Sequence, residues 1–332
     1  MSKVAVIGAG SWGTTFAKVL ADGGSEVSLW ARRAELADEI NLSHRNGDYL
    51  PGVNLPVGIT ASADITEVLQ GATQVYLSVP SQSLRANLAD WGHLIPKDAM
   101  VVSLMKGVEK DTGLRMSQVI AEAGIDPEKI VVVSGPNLAL EIADEQPAAS
   151  VAASSSLESA KLVAAASSNS YFTTFTNTDV IGTEFGGILK NLIAVAIGIV
   201  NGVGYGQNTK ASIMTRGVSE ISRFAVAFGA KPKTMVGLAG LGDLIATSES
   251  PLSRNHKAGE MLGKGYSKRE VLARLSQTAE GLASVSTILE LARDKGISMP
   301  IVEQVELVIE GKMSPKDIAP HLTHETEEPQ GE

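Results

Sequence analysis

Apolar positions in the first half of the chain come in short continuous runs, separated by stretches with helical spacing. The runs are Lys3–Gly8, Glu26–Trp30, Gln74–Val79, Met100–Leu104, Ile130–Ser134, Ala148–Ala153 and Tyr171–Phe175. They are rich in valine and do not alternate apolar with polar, the pattern of parallel strands covered on both faces. Between most of them, apolar residues three and four apart predict helices over Thr14–Asp22, Ala34–Asn46, Gly113–Ala123 and Leu157–Ser167. Such alternation predicts a doubly wound parallel sheet. After about Asp179 the strand pattern stops. Long helical periods follow at Val180–Val200, Thr209–Phe228, Ser267–Leu275, Leu282–Lys295 and Ile301–Glu310. The expected organisation is an α/β domain over 1–182 and an all-α domain over 183–322. The acidic stretch 323–332 is expected to be disordered.

One position breaks the pattern of the second half. In Phe185-Gly-Gly-Ile-Leu-Lys190-Asn191-Leu-Ile-Ala-Val-Ala-Ile-Gly-Ile-Val200, a single lysine interrupts an apolar helix. An ammonium group is strongly hydrated and is costly to place there. At helical spacing it shares a face with Gly186, Gly187, Ala194 and Ile197, three of them small. Either Lys190 reaches the surface or pairs with a buried carboxylate, or it is an acid–base group tuned by burial.

Composition narrows the classes. Of 332 residues, 44% are hydrophobic and 20% charged, which suits two globular domains with their own cores. A net charge of -9 with no basic stripe argues against a nucleic-acid partner. No cysteine is present, so disulfides and thiolate chemistry are excluded and a reducing cytoplasm is expected. The longest apolar run, Leu192–Val200, is too short to span a bilayer, so no membrane insertion is expected. The five histidines show no metal-ligand spacing and no serine lies in a GxSxG elbow, so neither zinc nor serine hydrolysis is expected.

The chemistry-bearing motifs lie at the ends of the strands. Gly8-Ala9-Gly10-Ser11-Trp12-Gly13 joins the first strand to the first helix, the context of a dinucleotide loop in a Rossmann-type fold. Strand Glu26–Trp30 is followed by Ala31-Arg32-Arg33, without the carboxylate that NAD-preferring sites place there. Arg32 and Arg33 suit a 2′-phosphate, so NADP(H) is favoured with NAD(H) also usable. Met105-Lys106-Gly107 follows a strand at the carboxyl edge, and Ser134-Gly135-Pro136-Asn137-Leu138-Ala139 follows the next and turns into a helix. Gly237–Asp243 is glycine-rich and ends in a carboxylate. Ser253-Arg254-Asn255 places a hydroxyl, a guanidinium and an amide in succession, a grip for phosphate. Each alone has a structural explanation as a loop, cap or turn; all four together with a dinucleotide loop and a buried lysine are hard to dismiss as structural.

These residues resemble a known family. GAGSWG, SVPSQ, MKG, SGPN-x-A-x-EIA, EFGGILKN, GLAGLGDL and SRN occur in order, and the chain is similar to bacterial NAD(P)-dependent glycerol-3-phosphate dehydrogenases from residue 3 to about 320. The resemblance implies reduction of dihydroxyacetone phosphate to sn-glycerol 3-phosphate for phospholipid synthesis, in a homodimer. It makes Lys190 the acid–base residue. It assigns substrate contacts to Lys106, Gly135, Asn137, Lys190, Asp243, Ser253, Arg254 and Asn255. Cofactor contacts fall on Gly8, Gly10, Ser11, Trp12, Gly13, Arg32, Arg33, Lys106, Ala139, Arg254, Thr278 and Glu280. In that reading Asp243 either orients Lys190 or bonds a substrate hydroxyl. The chain departs from the family at Asn137, often serine or threonine, at Leu138, often phenylalanine, and at Ser248, often cysteine; none of these removes a charge. The alternatives are a related reductase of a ketopantoate or 6-phosphogluconate type, or a non-catalytic NAD(P)H sensor.

Overall fold

A computed structural model of the chain describes residues 2–275 and 279–318. The chain divides into two compact units, Met1–Ile188 with Phe228–Asp243, and Leu189–Ala227 with Leu244–Glu332.

The first unit is built on eight strands: β1 (Lys3–Ile7), β2 (Glu26–Trp30), β3 (Ile59–Ser62), β4 (Gln74–Leu77), β5 (Met100–Ser103), β6 (Ile130–Ser134), β7 (Ala148–Ala153) and β8 (Phe172–Asn177). Their spatial order is β3-β2-β1-β4-β5-β6-β7-β8. In register, Val4 of β1 faces Val27 of β2 on one side and Gln74 of β4 on the other. The pleat sends Val4 and Val6 into one apolar layer and Ala5 and Ile7 into the other. Helices Ser11–Asp22, Ala34–Ser43 and Leu157–Ala166 cover the first layer; Ile65–Leu69, Leu84–Trp91 and Met116–Glu122 cover the second. The chain reverses direction across the sheet at β1 and β4, whose carboxyl ends form the crevice where ligands of such sheets bind.

The sheet is the expected doubly wound one and is mostly parallel, with one antiparallel step. β6 and β7 pair antiparallel, so β7 and β8 run against the other six strands. β8 is an edge strand in which buried Phe172 and Thr174 alternate with exposed Thr173 and Phe175. Strand β3 escapes the sequence pattern because Ile-Thr-Ala-Ser is too short to show a run.

The second unit is helical. It takes up the helix Val180–Val203 from Leu189 onward and continues through Gln207–Ala227, Asp243–Glu249, Arg254–Gly263, Lys268–Arg274, Glu280–Asp294 and Pro300–Ile309. By length and composition Val180–Val203 could cross a bilayer, but 83% of its most apolar stretch is buried, as in a core helix. Two glycine pairs let it touch Arg254–Gly263 backbone to backbone. A β-carbon on Gly198 would stand 2.2 Å from the His256 carbonyl oxygen, and one on Gly259 would stand 2.1 Å from that of Val195. This contact runs along residues 195–202, the last third of the long helix, beyond Lys190 and Asn191.

Candidate active site

In the first unit the glycine loop has the space and the donors that a pyrophosphate needs. Gly8 has φ +118°, and a β-carbon there would meet the Ser78 carbonyl oxygen at 2.4 Å, across the crevice on the β4 side. One on Gly13 would stand 1.9 Å from the Gly8 carbonyl oxygen. A β-carbon on Gly10, by contrast, would meet nothing within 4 Å, leaving backbone open to a ligand. Helix Ser11–Asp22 starts at Gly10 with no side-chain cap and no acidic residue in its first turn. Its first N–H groups therefore suit an anion. Ser11 Oγ donates to the Tyr49 carbonyl at 2.6 Å, and Trp12 packs edge-on against Phe16. Arg32 and Arg33 are exposed at the end of β2. Arg33 bonds Asp48 and lies over the Tyr49 ring, 5.9 Å from its centre. The Asp48 carboxylate raises the Arg33 pKa above its ordinary value.

The substrate-side residues of this unit converge on one ammonium. Lys106 follows β5 and its Nζ donates to the Gly135 carbonyl at 2.9 Å and to Asp243 Oδ2 at 2.7 Å. The carboxylate is 2% exposed, the lysine side chain 14%, so the pair is shielded but open at one edge. Asp243 opens helix Asp243–Glu249 after a π-helical turn at Leu238–Gly242, so the helix dipole favours its charge. Gly187 leaves room for this arrangement, since a β-carbon there would lie 2.5 Å from Ser134 Oγ and 3.3 Å from two carbons of Lys106. Asn137 sits 3.4 Å from Ser150 Oγ through Nδ2, while its Oδ1 is buried with no hydrogen-bond partner. A buried acceptor of that kind suits a ligand donor. Ala139 opens the helix Ala139–Ala143, and its carbonyl accepts from Thr15 Oγ1 at 3.3 Å.

In the second unit Lys190 is 6% exposed, and its ammonium donates to Thr247 Oγ1. The next residue, Asn191, accepts from Asn255 Nδ2 at 2.8 Å, and Asn255 Oδ1 accepts from the Gly281 N–H at 2.9 Å. Asn255 thus ties three helices together. Ser253 is the N-cap of Arg254–Gly263, its Oγ accepting from the His256 N–H at 3.2 Å. Both residues hold the fold through these bonds. Arg254 is exposed; desolvation by the surrounding protein lowers its pKa, and the charge of Glu280 opposes that. Thr278 lies outside the described residues. The sequence patterns assign no site role to Thr247, Asn191 or Asp48. Thr247 would have been visible only as the i+4 neighbour of Asp243 on a helix that the preceding glycines conceal.

A doubly wound sheet with a glycine loop at its reversal point, joined to a helical unit that buries a lysine, defines a two-domain nicotinamide-dinucleotide dehydrogenase. Residues 3–160 match the family described as NAD-dependent glycerol-3-phosphate dehydrogenase N-terminus, and residues 179–320 the corresponding C-terminus. A glycerol-3-phosphate dehydrogenase [NAD(P)+] of Leifsonia xyli is 63% identical over 98% of this chain and 89% of its own length. One from Corynebacterium glutamicum is 53% identical over 96% of each. Among solved structures, the glycerol-3-phosphate dehydrogenase of Coxiella burnetii superposes with a TM-score of 0.90 at 35% identity, covering 97% of this chain and 98% of that one. The chain belongs to the NAD-dependent glycerol-3-phosphate dehydrogenase family.

Proposed function

We propose that this protein reversibly reduces dihydroxyacetone phosphate to sn-glycerol 3-phosphate, with NADPH preferred and NADH accepted. It supplies glycerophospholipid synthesis from the cytoplasm as a homodimer. Residues 1–182 hold the dinucleotide and 183–322 the phosphorylated substrate. The observation that carries this reading is the buried ammonium of Lys190, which donates to Thr247 Oγ1 from an otherwise apolar helix.

When bound, the reduced nicotinamide supplies the hydride for the C2 carbonyl carbon. Lys190 gives the proton to the carbonyl oxygen in reduction and recovers it in oxidation. Lys106, held by Asp243 and Gly135, faces the charge developing on that oxygen. Arg254 takes the phosphate, with the Ser253 hydroxyl hydrogen and one Asn255 amide hydrogen still available after their fold bonds. Binding the remote phosphate orients the carbonyl. Asn137 Oδ1 accepts from a substrate hydroxyl. Loss of nicotinamide absorbance on adding dihydroxyacetone phosphate, and not on adding ketopantoate or ribulose 5-phosphate with carbon dioxide, tests the reading. No absorbance change with any of them would leave only a binding role.

A further inference from the structure

We infer that Asp48 sets the cofactor selectivity of this site, supplying from outside β2 the carboxylate that the end of β2 lacks. The inference rests on the reading of Gly8–Gly13 as a dinucleotide loop. Asp48 lies beyond helix Ala34–Ser43, in a segment bound to that loop on both sides of it. Asn46 is fully buried, and its Nδ2 donates to the Ala9 carbonyl at 2.9 Å and to Thr14 Oγ1 at 2.8 Å. Tyr49 receives the Ser11 hydroxyl on its carbonyl at 2.6 Å and donates its own N–H to Asn46 Oδ1 at 3.2 Å. Between them, the Gly47 N–H is held by Glu39 Oε1 at 3.0 Å. The backbone of Asp48 is therefore fixed relative to the glycines, although its side chain is 57% exposed.

That side chain bonds Arg33, whose guanidinium rests over the Tyr49 ring. With both partners about half exposed, the pair adds little to stability and both groups stay open to solvent and to a ligand. A guanidinium has five N–H groups, and one edge remains for a second anion. A 2′-phosphate on that edge would be attracted by Arg33 and repelled by the carboxylate bonded to the same group. A 2′-hydroxyl meets no such repulsion and finds in Asp48 an acceptor. Asp48 therefore works against NADPH and for NADH, and the Arg33–Asp48 pair keeps both within reach of one site.

The test is the dissociation constant of each dinucleotide, read from quenching of tryptophan fluorescence in the wild type, Asp48→Asn, Arg33→Gln and the double variant. Asp48→Asn should tighten NADPH about three- to tenfold and weaken NADH, and the gain for NADPH should shrink as salt is raised. In the Arg33→Gln background the NADPH gain should persist, because the repulsion acts on the phosphate directly. An NADPH-to-NADH ratio that is unchanged in Asp48→Asn, or that moves toward NADH, overturns the inference. A wild type that binds neither dinucleotide overturns instead the reading of the loop on which it rests. Unfolding temperature distinguishes either result from misfolding, which an exposed Asp→Asn change is not expected to cause.

Discussion

Lys106 is a partly buried cation and Lys190 a buried one, and each has its own partners. Lys106 Nζ is held by the Asp243 carboxylate and the Gly135 carbonyl, and Lys190 Nζ donates to Thr247 Oγ1. Asp243→Asn should therefore lower kcat/KM by about 10- to 100-fold, through a misplaced Lys106, with steady-state kinetics as the measurement. Thr247→Ser should retain most activity, whereas Thr247→Val should lose kcat more than KM, because only the valine withdraws the oxygen that orients Lys190. Replacing Arg32 and Arg33 together should cost NADPH affinity far more than NADH affinity; equal losses would contradict the cofactor preference. Lys190 was legible in the sequence because a lone amine in an apolar run has few explanations. The ion pair of Lys106 with Asp243 was not, since 137 residues separate them and no local pattern links the two.

Among the elements, the glycine loop divides its tasks residue by residue. Gly13→Ala drives a methyl into the Gly8 carbonyl, so it should destabilise the fold as well as abolish dinucleotide binding. Gly10→Ala meets open space; it should fold with an unchanged melting temperature yet bind NADPH more weakly, because the methyl occupies the approach to the phosphates. Calorimetry with a binding titration separates the two. In the second unit, Gly259→Ala should cost about 2 kcal/mol or more by forcing apart two helices that touch at their backbones. The fully covered strands were read from sequence almost residue for residue, since burial on both faces demands continuous apolar runs. β3 and β8 were blurred by the opposite condition: one is too short, and the other alternates because one face is wet. The direction of β7 was invisible, because side-chain burial does not depend on which way a strand runs.

For the molecule as a whole, stability should depend on one buried carboxylate. Glu220 is 1% exposed and accepts from the N–H groups of Ile301 and Val302, the first turn of helix Pro300–Ile309. Burial raises its pKa to about 7, against the lowering effect of those two bonds and of Arg223. The unfolded carboxyl titrates near its ordinary value of 4.5, so the folded state holds the proton more tightly. The resulting stabilisation is fully present below about pH 4.5 and is lost as pH rises through 7, on the order of 3 kcal/mol in all. Glu220→Gln should flatten this slope in denaturant titrations at pH 5 and pH 8, while lowering stability at pH 5 by removing one acceptor. A wild-type profile that rises over that range would contradict the assignment. Nothing in the sequence marked Glu220, one of 37 acidic residues on a predicted helix whose buried face could not be read in advance.

The most direct test of the central claim is turnover of dihydroxyacetone phosphate by Lys190→Ala, followed at the nicotinamide band with saturating NADPH. Lys190→Ala should retain less than about a tenth of the wild-type rate while NADPH still binds with its normal affinity. A variant that keeps more than that fraction would show that the proton comes from elsewhere.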